Sequence, residues 1–441
     1  MTFLSSGNAD HDAAYRKAVD DIAGDIVDGT FIAGQNWASV WTRDTSYSVD
    51  LGAGLLHPDV AMATMRGMTS NDGALGEVWV QDRAGHFGGW PNLTDSIVGA
   101  VGAWSTYLLT GDREFLRWSH TVTTNTLARA ERDAFDAESG LFRGCSSFME
   151  SNSGYPGKYA FDGAAVGRTK ALSTNLLYHR GYVLGARMGA LLGEDVESLD
   201  NSAARLRTSI NERLWLPDNG YYAYYEDEDG MLSDRMEGLG ESLAVLWGVA
   251  SPSQAADIMQ STPTTAQGLP CLWPQYPEWK DYSKDFASYY HNGMVWPFVQ
   301  GYWARAAAKT GDVAVFGAEL DKVLALSKKD ATFHEFYRPE DGFPDGSPRQ
   351  LWSAAGYLSM IYHGLFGLRP GTDSLRFAPV VPAAFQQVTL TDIRYRDMTL
   401  AISLAGSGTR VTSFTVDGQV NTEAAVPVSL TGSHTVRITV A

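Results

Sequence analysis

Cysteine is nearly absent: Cys145 and Cys271 are the two in 441 residues. Two thiols close at most one bridge, so a disulfide framework is excluded and a reduced pair is the simpler expectation. Basic residues are also scarce, 34 against 51 acidic, for a net charge of −17. Such a chain repels phosphate backbones and anionic lipid, which argues against nucleic acid or a membrane as partner. No apolar run approaches the ~20 residues of a membrane span. Residues 1–11 lack both a basic n-region and an apolar h-region, so the cytoplasm is the expected location, with secretion open if a signal was removed. The sequence has no Cys/His ligand spacing, no Gly-rich phosphate loop after a strand and no Gly-x-Ser-x-Gly elbow, and Gly88-Gly89 stands alone. No metal and no cofactor is therefore expected. No repeat of fixed period is present.

What the chain has is core and aromatics. It is 44% hydrophobic and 12% aromatic, with 13 Trp and 20 Tyr. That supports a large core and suits a ligand with apolar faces, such as a sugar. Up to Pro370 the apolar spacing predicts about twelve helices, among them 10–28, 44–56, 93–110, 112–133, 173–193, 197–214, 235–249, 292–310, 313–328 and 350–366. Short connectors such as Thr110-Gly111-Asp112 and Thr310-Gly311-Asp312 join some neighbours. Long aromatic loops (69–91, 139–172, 216–234, 262–291 and 330–349) separate others, and loops this long inside a domain tend to be functional. Six hairpins closing into a ring would gather these loops at one rim. The expected fold is thus mainly α: an (α/α)6 toroid over 1–370, followed by a small antiparallel β-sandwich over 371–441, where alternation and the turns Gly406-Ser407-Gly408 and Asp417-Gly418 signal strands.

Chemistry concentrates in the long loops. Trp41-Thr42-Arg43-Asp44 joins a sugar-stacking ring to a guanidinium and a carboxylate that can grip vicinal hydroxyls; a helix cap and its ion partner is the structural reading of the same residues. Glu150 follows apolar Phe148 and Met149, where desolvation favours the protonated form that a general acid needs. Glu335, between aromatics in Phe333-His334-Glu335-Phe336-Tyr337, suits a base that activates water. Tyr155 lies in the Glu150 loop. His291, Asn292 and Trp296 precede a helix and point toward the rim, as does Glu237, whose alternative is to complement the helix dipole. Trp90, Gln350 and Trp352 end long loops and would wall the pocket.

These motifs resemble the six-hairpin glycosidase superfamily, which includes trehalases, processing α-glucosidases, α-L-rhamnosidases, debranching glucosidases and disaccharide phosphorylases. Trp41-Thr42-Arg43-Asp44 is similar to its substrate-gripping Trp-x-Arg-Asp. Tyr290-His291-Asn292-Gly293-x-x-Trp296-Pro297 is similar to its late-barrel motif, and Gln350-Leu351-Trp352 to the start of its final helix. The resemblance spans nearly the whole chain. It implies an acid at Glu150, where the family usually has Asp, and a base at Glu335 in a Glu-x-Tyr-like motif. It also implies inversion at the anomeric carbon.

The expected activity is therefore an exo-acting, inverting glycoside hydrolase with a small-molecule carbohydrate substrate, working as a monomer or homodimer. Three rivals share the sequence features. A glycoside phosphorylase would replace the base with phosphate. A polysaccharide lyase would use Tyr289, Tyr290 or His291 to abstract a proton. A non-catalytic sugar-binding protein would keep only the Trp and Arg contacts.

Overall fold

The computed structural model describes residues 2–85 and 88–441. Among the described residues, twelve principal helices occupy the chain up to residue 365. They are α1 (Ala9–Gly24), α2 (Thr42–Ser48, continued through Val49–Ala53 and Gly54–Leu56), α3 (Pro58–Arg66), α4 (Gly99–Thr110), α5 (Arg113–Asp133), α6 (Leu172–Leu192), α7 (Glu197–Leu214), α8 (Gly238–Leu246), α9 (Pro252–Ser261), α10 (Pro297–Thr310), α11 (Val313–Ser327) and α12 (Leu351–Ser359, continued through Met360–Leu365).

Local signals set their ends. Asp112 and Asp312 cap α5 and α11 by accepting from Phe115 N and Val315 N at 2.8 and 2.9 Å. The preceding Gly111 and Gly311 end α4 and α10 in the left-handed conformation, φ 73° and 77°. Thr-Gly-Asp thus stops one helix and starts the next within two residues, which forces neighbours to run antiparallel. Ser251 and Gln254 form a reciprocal capping box at α9.

Burial separates the helices into two sets. The amphipathic α7 buries only Ala203, Leu206, Ile210 and Leu214, a single stripe. By contrast α8 is buried from Gly238 to Val245, and α12 from Leu351 to Ser359. The packing follows this division. Helix α2 packs on α4, α4 on α6, α6 on α8, α8 on α10, α10 on α12, and α12 again on α2. The odd-numbered helices lie against this succession: α1 on α12, α3 and α5 on α4, α7 on α6, α9 on α8, and α11 on α10. Every long loop precedes an even-numbered helix, so all of them meet at the N-terminal ends of the even set.

Three helices start later than their apolar pattern suggests: α4 at Gly99, after a short tight turn over Asp95–Val98, α8 at Gly238 and α10 at Pro297. Met236–Glu237 pairs with Leu272–Trp273 before α8 begins, and Val295 exchanges backbone hydrogen bonds with Tyr337 before α10 begins.

The C-terminal region is β, with one correction to the wholly antiparallel sandwich expected. Strands β1 (Phe3–Ser5), β4 (Gln387–Tyr395), β5 (Met398–Gly406), β6 (Val411–Val416), β7 (Gln419–Val420) and β9 (Gly432–Val440) form one sheet in the order β1-β4-β5-β9-β6-β7. A second sheet holds β2 (Leu368–Pro370), β3 (Ser374–Phe377) and β8 (Ala425–Pro427). The β5–β9 pair is parallel, from Met398↔Gly432 to Gly406↔Val440. The chain leaves β5, forms β6 to β8, and returns alongside β5 in the same direction. The edge strand β1 comes from the N-terminus. One continuous core joins helices and sheets, and Arg396 Nε donates to Leu108 O, near the end of α4, at 3.1 Å.

Candidate active site

A cavity of about 410 Å³ opens among the loops at the N-terminal ends of the even helices. Its walls include Trp37, Trp41, Arg43, Asp44, Glu150 and Glu335, with Tyr290, Trp352, Phe286 and Arg83 among the others. That size suits one small ligand and its leaving group. A larger groove of about 810 Å³ lies between α5 and α7, far from this cluster, with Glu131 and Arg205 as its charged groups.

Helix α2 brings Arg43 and Asp44 to the cavity. Trp41 at its N-cap makes no side-chain cap bond. The cap comes from across the fold: Asp82 accepts from Thr42 N and Arg43 N at 3.0 Å each. The buried Arg43 guanidinium meets Glu150 Oε2 through Nη1 at 2.7 Å and Asp95 Oδ2 through Nε at 3.4 Å. Burial alone would lower the Arg43 pKa, but Glu150, Asp95, Asp82 and Asp44 outweigh it and keep the cation charged. Asp44 accepts from Gln350 Nε2 at 3.1 Å. Burial, only partly offset by Arg43, pushes its carboxyl well above the usual range.

Glu335 sits at the foot of a small hairpin in which Phe336–Tyr337 pairs with Pro344–Asp345. The same turn aims a donor back at it: Ser347 N reaches Oε2 at 2.8 Å, beside Trp37 Nε1 at 2.9 Å. Tyr290 Oη donates to Oε1. Burial raises the Glu335 pKa to about 7; the three donors oppose the rise and nearby Glu150 adds to it. Glu150 accepts from Arg43, and its side chain stays 17% exposed. Burial raises its pKa too, against the pull of Arg43.

Residue 346 must be glycine for this arrangement. Gly346 has φ 74°, and a Cβ there would lie 2.6 Å from Glu335 Oε2. Gly346→Ala is expected to lower kcat by about 100-fold, the scale of a 1 Å misplacement; steady-state kinetics beside a thermal melt checks this. Tyr290→Phe removes a hydrogen bond to a carboxylate, about 1.5–3 kcal/mol. The acidic limb of kcat/KM should then move up by about one to two pH units, as a pH–rate profile will show.

Of the residues singled out in the sequence, Trp41, Arg43, Asp44, Glu150, Glu335 and Trp352 meet at the cavity. The others lie behind its wall. Gln350 is fully buried and holds Asp44. His291 accepts from Ser151 N at Nδ1, 3.3 Å, and so pins the loop after Glu150; burial holds it neutral by lowering its pKa. Asn292 exchanges hydrogen bonds with the Tyr276 backbone at 2.7 and 2.9 Å. Glu237 accepts from Ser146, from Ser173 Oγ and from Ser173 N. Trp296 stacks on His291, and Tyr155 accepts from Ser146 N at 2.9 Å. Trp90 donates to Asp133 on the outer side at 3.0 Å. Each contact assembles the loops rather than facing the cavity.

Asp82, Asp95, Arg83 and Ser347 went unseen in the sequence, and Tyr290 stood there only in the late-barrel motif and as a base for the rival lyase. Asp82 and Asp95 act through contacts of 40 to 52 residues' separation, for which the sequence carries no local sign. For Trp37 the signal is its place in Asn36-Trp37, just before Trp41-Thr42-Arg43-Asp44 in the densest cluster of polar and aromatic residues. Among the described residues, no group of three or more His, Cys, Asp or Glu side chains is placed to hold a metal ion, and no helix is long and apolar enough to cross a membrane. Cys145 and Cys271 are both free and buried.

Residues 39–353 match the family model described as the mannosylglycerate hydrolase MGH1-like glycoside hydrolase domain. No curated protein matches the chain in sequence. The fold is similar to that of the GH63 mannosylglycerate hydrolase from Thermus thermophilus, solved in complex with Tris (16% identity, TM-score 0.63, 79% of this chain and 100% of that one). It is also similar to a GH78 rhamnosidase of Bacillus sp. GL1 (15%, TM-score 0.67, 92% of this chain) and to a sialidase (14%, TM-score 0.73, 93% of this chain). This chain spans 41% and 40% of those two.

Proposed function

Because the chain belongs to the mannosylglycerate hydrolase MGH1-like glycoside hydrolase family, we propose that this glycoside hydrolase is exo-acting and inverts the anomeric centre, with Glu150 as general acid and Glu335 as general base. One observation carries the reading: two carboxyls of unequal surroundings share one small cavity with Trp41 and Trp352. Among the described residues, Glu335 receives three neutral donors and pairs with no cation. Donors to both oxygens favour its ionised form and fix its direction, as a base requires. Glu150 lines the cavity with its side chain partly exposed, and burial raises its pKa against the pull of Arg43, toward the protonated form that an acid needs. Inversion needs room for a water between base and anomeric carbon, with the two carboxyls about 6.5–9.5 Å apart.

The cyclic packing of the even helices supports the six-hairpin (α/α)6 toroid over 1–370, with 371–441 as an accessory β unit. A site at one closed end of such a ring suits removal of a terminal sugar. Arg83 lines the cavity and forms no ion pair among the described residues. A carboxylate-bearing aglycone, as in the mannosylglycerate for which the family is described, would complement it.

Hydrolysis is favoured over phosphorolysis because a carboxylate with its own three donors occupies the place where phosphate would act. A lyase base at Tyr290 or His291 is disfavoured because Tyr290 is bound to Glu335 and His291 to Ser151. The test is incubation of the purified protein with mannosylglycerate and with α- and β-aryl glycosides, with and without phosphate. Free sugar released independently of phosphate is the expected product. Sugar 1-phosphate or an unsaturated uronate would overturn the reading. The acidic limb of kcat/KM should lie at about pH 7, because rate requires ionised Glu335, whose pKa burial raises to about 7.

A further inference from the structure

The loop that carries Glu335 is tied at both ends to the C-terminal turns of α1, an outer helix that does not line the cavity. Asp21 Oδ2 accepts from Phe333 N at 2.7 Å, two residues before Glu335. Arg349 Nε meets Asp25 Oδ1 at 2.9 Å, two residues after Ser347, the backbone donor to Glu335. Arg349 N and Thr332 Oγ1, at 3.1 Å, close the loop between the two anchors. The Arg349 stem lies over Gly24, where a Cβ would come within 3.0 Å of Cδ. Asp21 and Asp25 are 5% and 0% exposed, one helical turn apart.

The same corner feeds the opposite wall. Asp25 O accepts from Ile32 N at 2.9 Å, and Ala33 O accepts from Leu351 N at 2.9 Å. This segment runs on to Trp37, the second donor to Glu335. Nothing in the cavity explains why two carboxyls should be buried at an outer helix end, where desolvation penalises both. Their hydrogen-bond donors do: Phe333 N and Arg349 Nε both belong to the loop that holds Glu335.

We propose that Asp21 and Asp25 are positioning residues, which fix the Glu335 loop from outside the cavity and so set the direction of the Glu335 carboxylate. This rests on the reading of Glu335 as the base. The groups facing Glu335 are Tyr290, Trp37 and Ser347, with the charges of Glu150 and Asp44 nearby. Those facing Asp21 are Lys17, Arg349 and Asp20, and Asp25 lies beside it.

The test compares Asp21→Ala, Asp21→Asn and Glu335→Gln in kcat, KM, thermal midpoint and pH profile on the substrate that the wild type turns over. Asp21→Ala should lower kcat by about 10–100-fold and leave KM within about threefold. It should also move the acidic limb of kcat/KM upward, because Ser347 and Trp37 no longer meet the carboxylate squarely. Asp21→Asn keeps an oxygen for Phe333 N–H, does not itself titrate, and should restore both rate and limb. If Asp21→Ala fails to fold, Arg349→Gln tests the other anchor with the same expected upward shift of the limb. An unchanged kcat and limb in both variants, or equal loss in Asp21→Ala and Asp21→Asn, would overturn the proposal. A dead Glu335→Gln beside an unaffected Asp21→Ala removes the positioning role alone. An active Glu335→Gln removes the base reading on which it stands.

Discussion

Glu335→Gln lowers kcat by about 10²–10⁴-fold, the usual contribution of a general base, and leaves the protein folded. The geometry makes this substitution a clean one. The Gln oxygen can take the place of Oε2 and still accept from Trp37 Nε1 and Ser347 N, and its amide can donate to Tyr290 Oη. What is lost is the charge that draws a proton from water. Stability moves the other way. The folded pKa of Glu335 is raised to about 7 from an ordinary value of 4.5. Its neutral form is thus favoured by folding, and that contribution is complete below about pH 4.5 and lost as pH rises through about 7. The Gln variant does not lose it. Melts should therefore coincide at pH 5, and the variant should melt higher at pH 8. Loss of rate with a lowered midpoint at pH 8 would instead mark Glu335 as a structural residue.

Arg43→Met is the substitution expected to cost most in stability, about 3–5 kcal/mol, the range for removing one partner of a buried ion pair. Arg43 is 3% exposed and serves Glu150 and Asp95 directly, with Asp82 and Asp44 close by. Met fills much of the volume and supplies no charge, so these carboxyls are left buried without their shared cation. Those of Asp44, Asp82 and Glu150 are already raised by burial and would rise further. The raised-pKa case again applies: the folded form holds extra protons, and its stability declines as pH rises. The deficit relative to wild type should thus be larger at pH 8 than at pH 5. Denaturant unfolding at both values measures it. Activity should also vanish, because Glu150 loses the group that holds one of its oxygens in place.

The parts of this protein legible in its sequence are those written locally. Thr110-Gly111-Asp112 and Thr310-Gly311-Asp312 state a stop and a start side by side, and both helix junctions fall there. The apolar spacing of 173–193 and 197–214 leads to helices within one residue of those bounds. Trp41, Arg43 and Asp44 adjoin in sequence and share the cavity. What was hidden depends on distant partners. The cap of α2 comes from Asp82 rather than from its own first turn. His291 and Asn292 share the Tyr290 motif, yet their polar atoms bind loops. Glu237 sits one residue before α8, where a rim contact was the natural expectation, but Ser146 and Ser173 claim it. Alternation identified the C-terminal strands but carried no information on direction, and the parallel β5–β9 pair went unseen.

In the proposed reaction, water directed by Glu335 attacks the face opposite the leaving group. Proton NMR of the sugar released in the first minutes of turnover, before mutarotation, tests that step most directly. The first anomer seen should have the configuration opposite to the substrate's. Release of the same anomer as the substrate's would rule out inversion and the role of Glu335 as base.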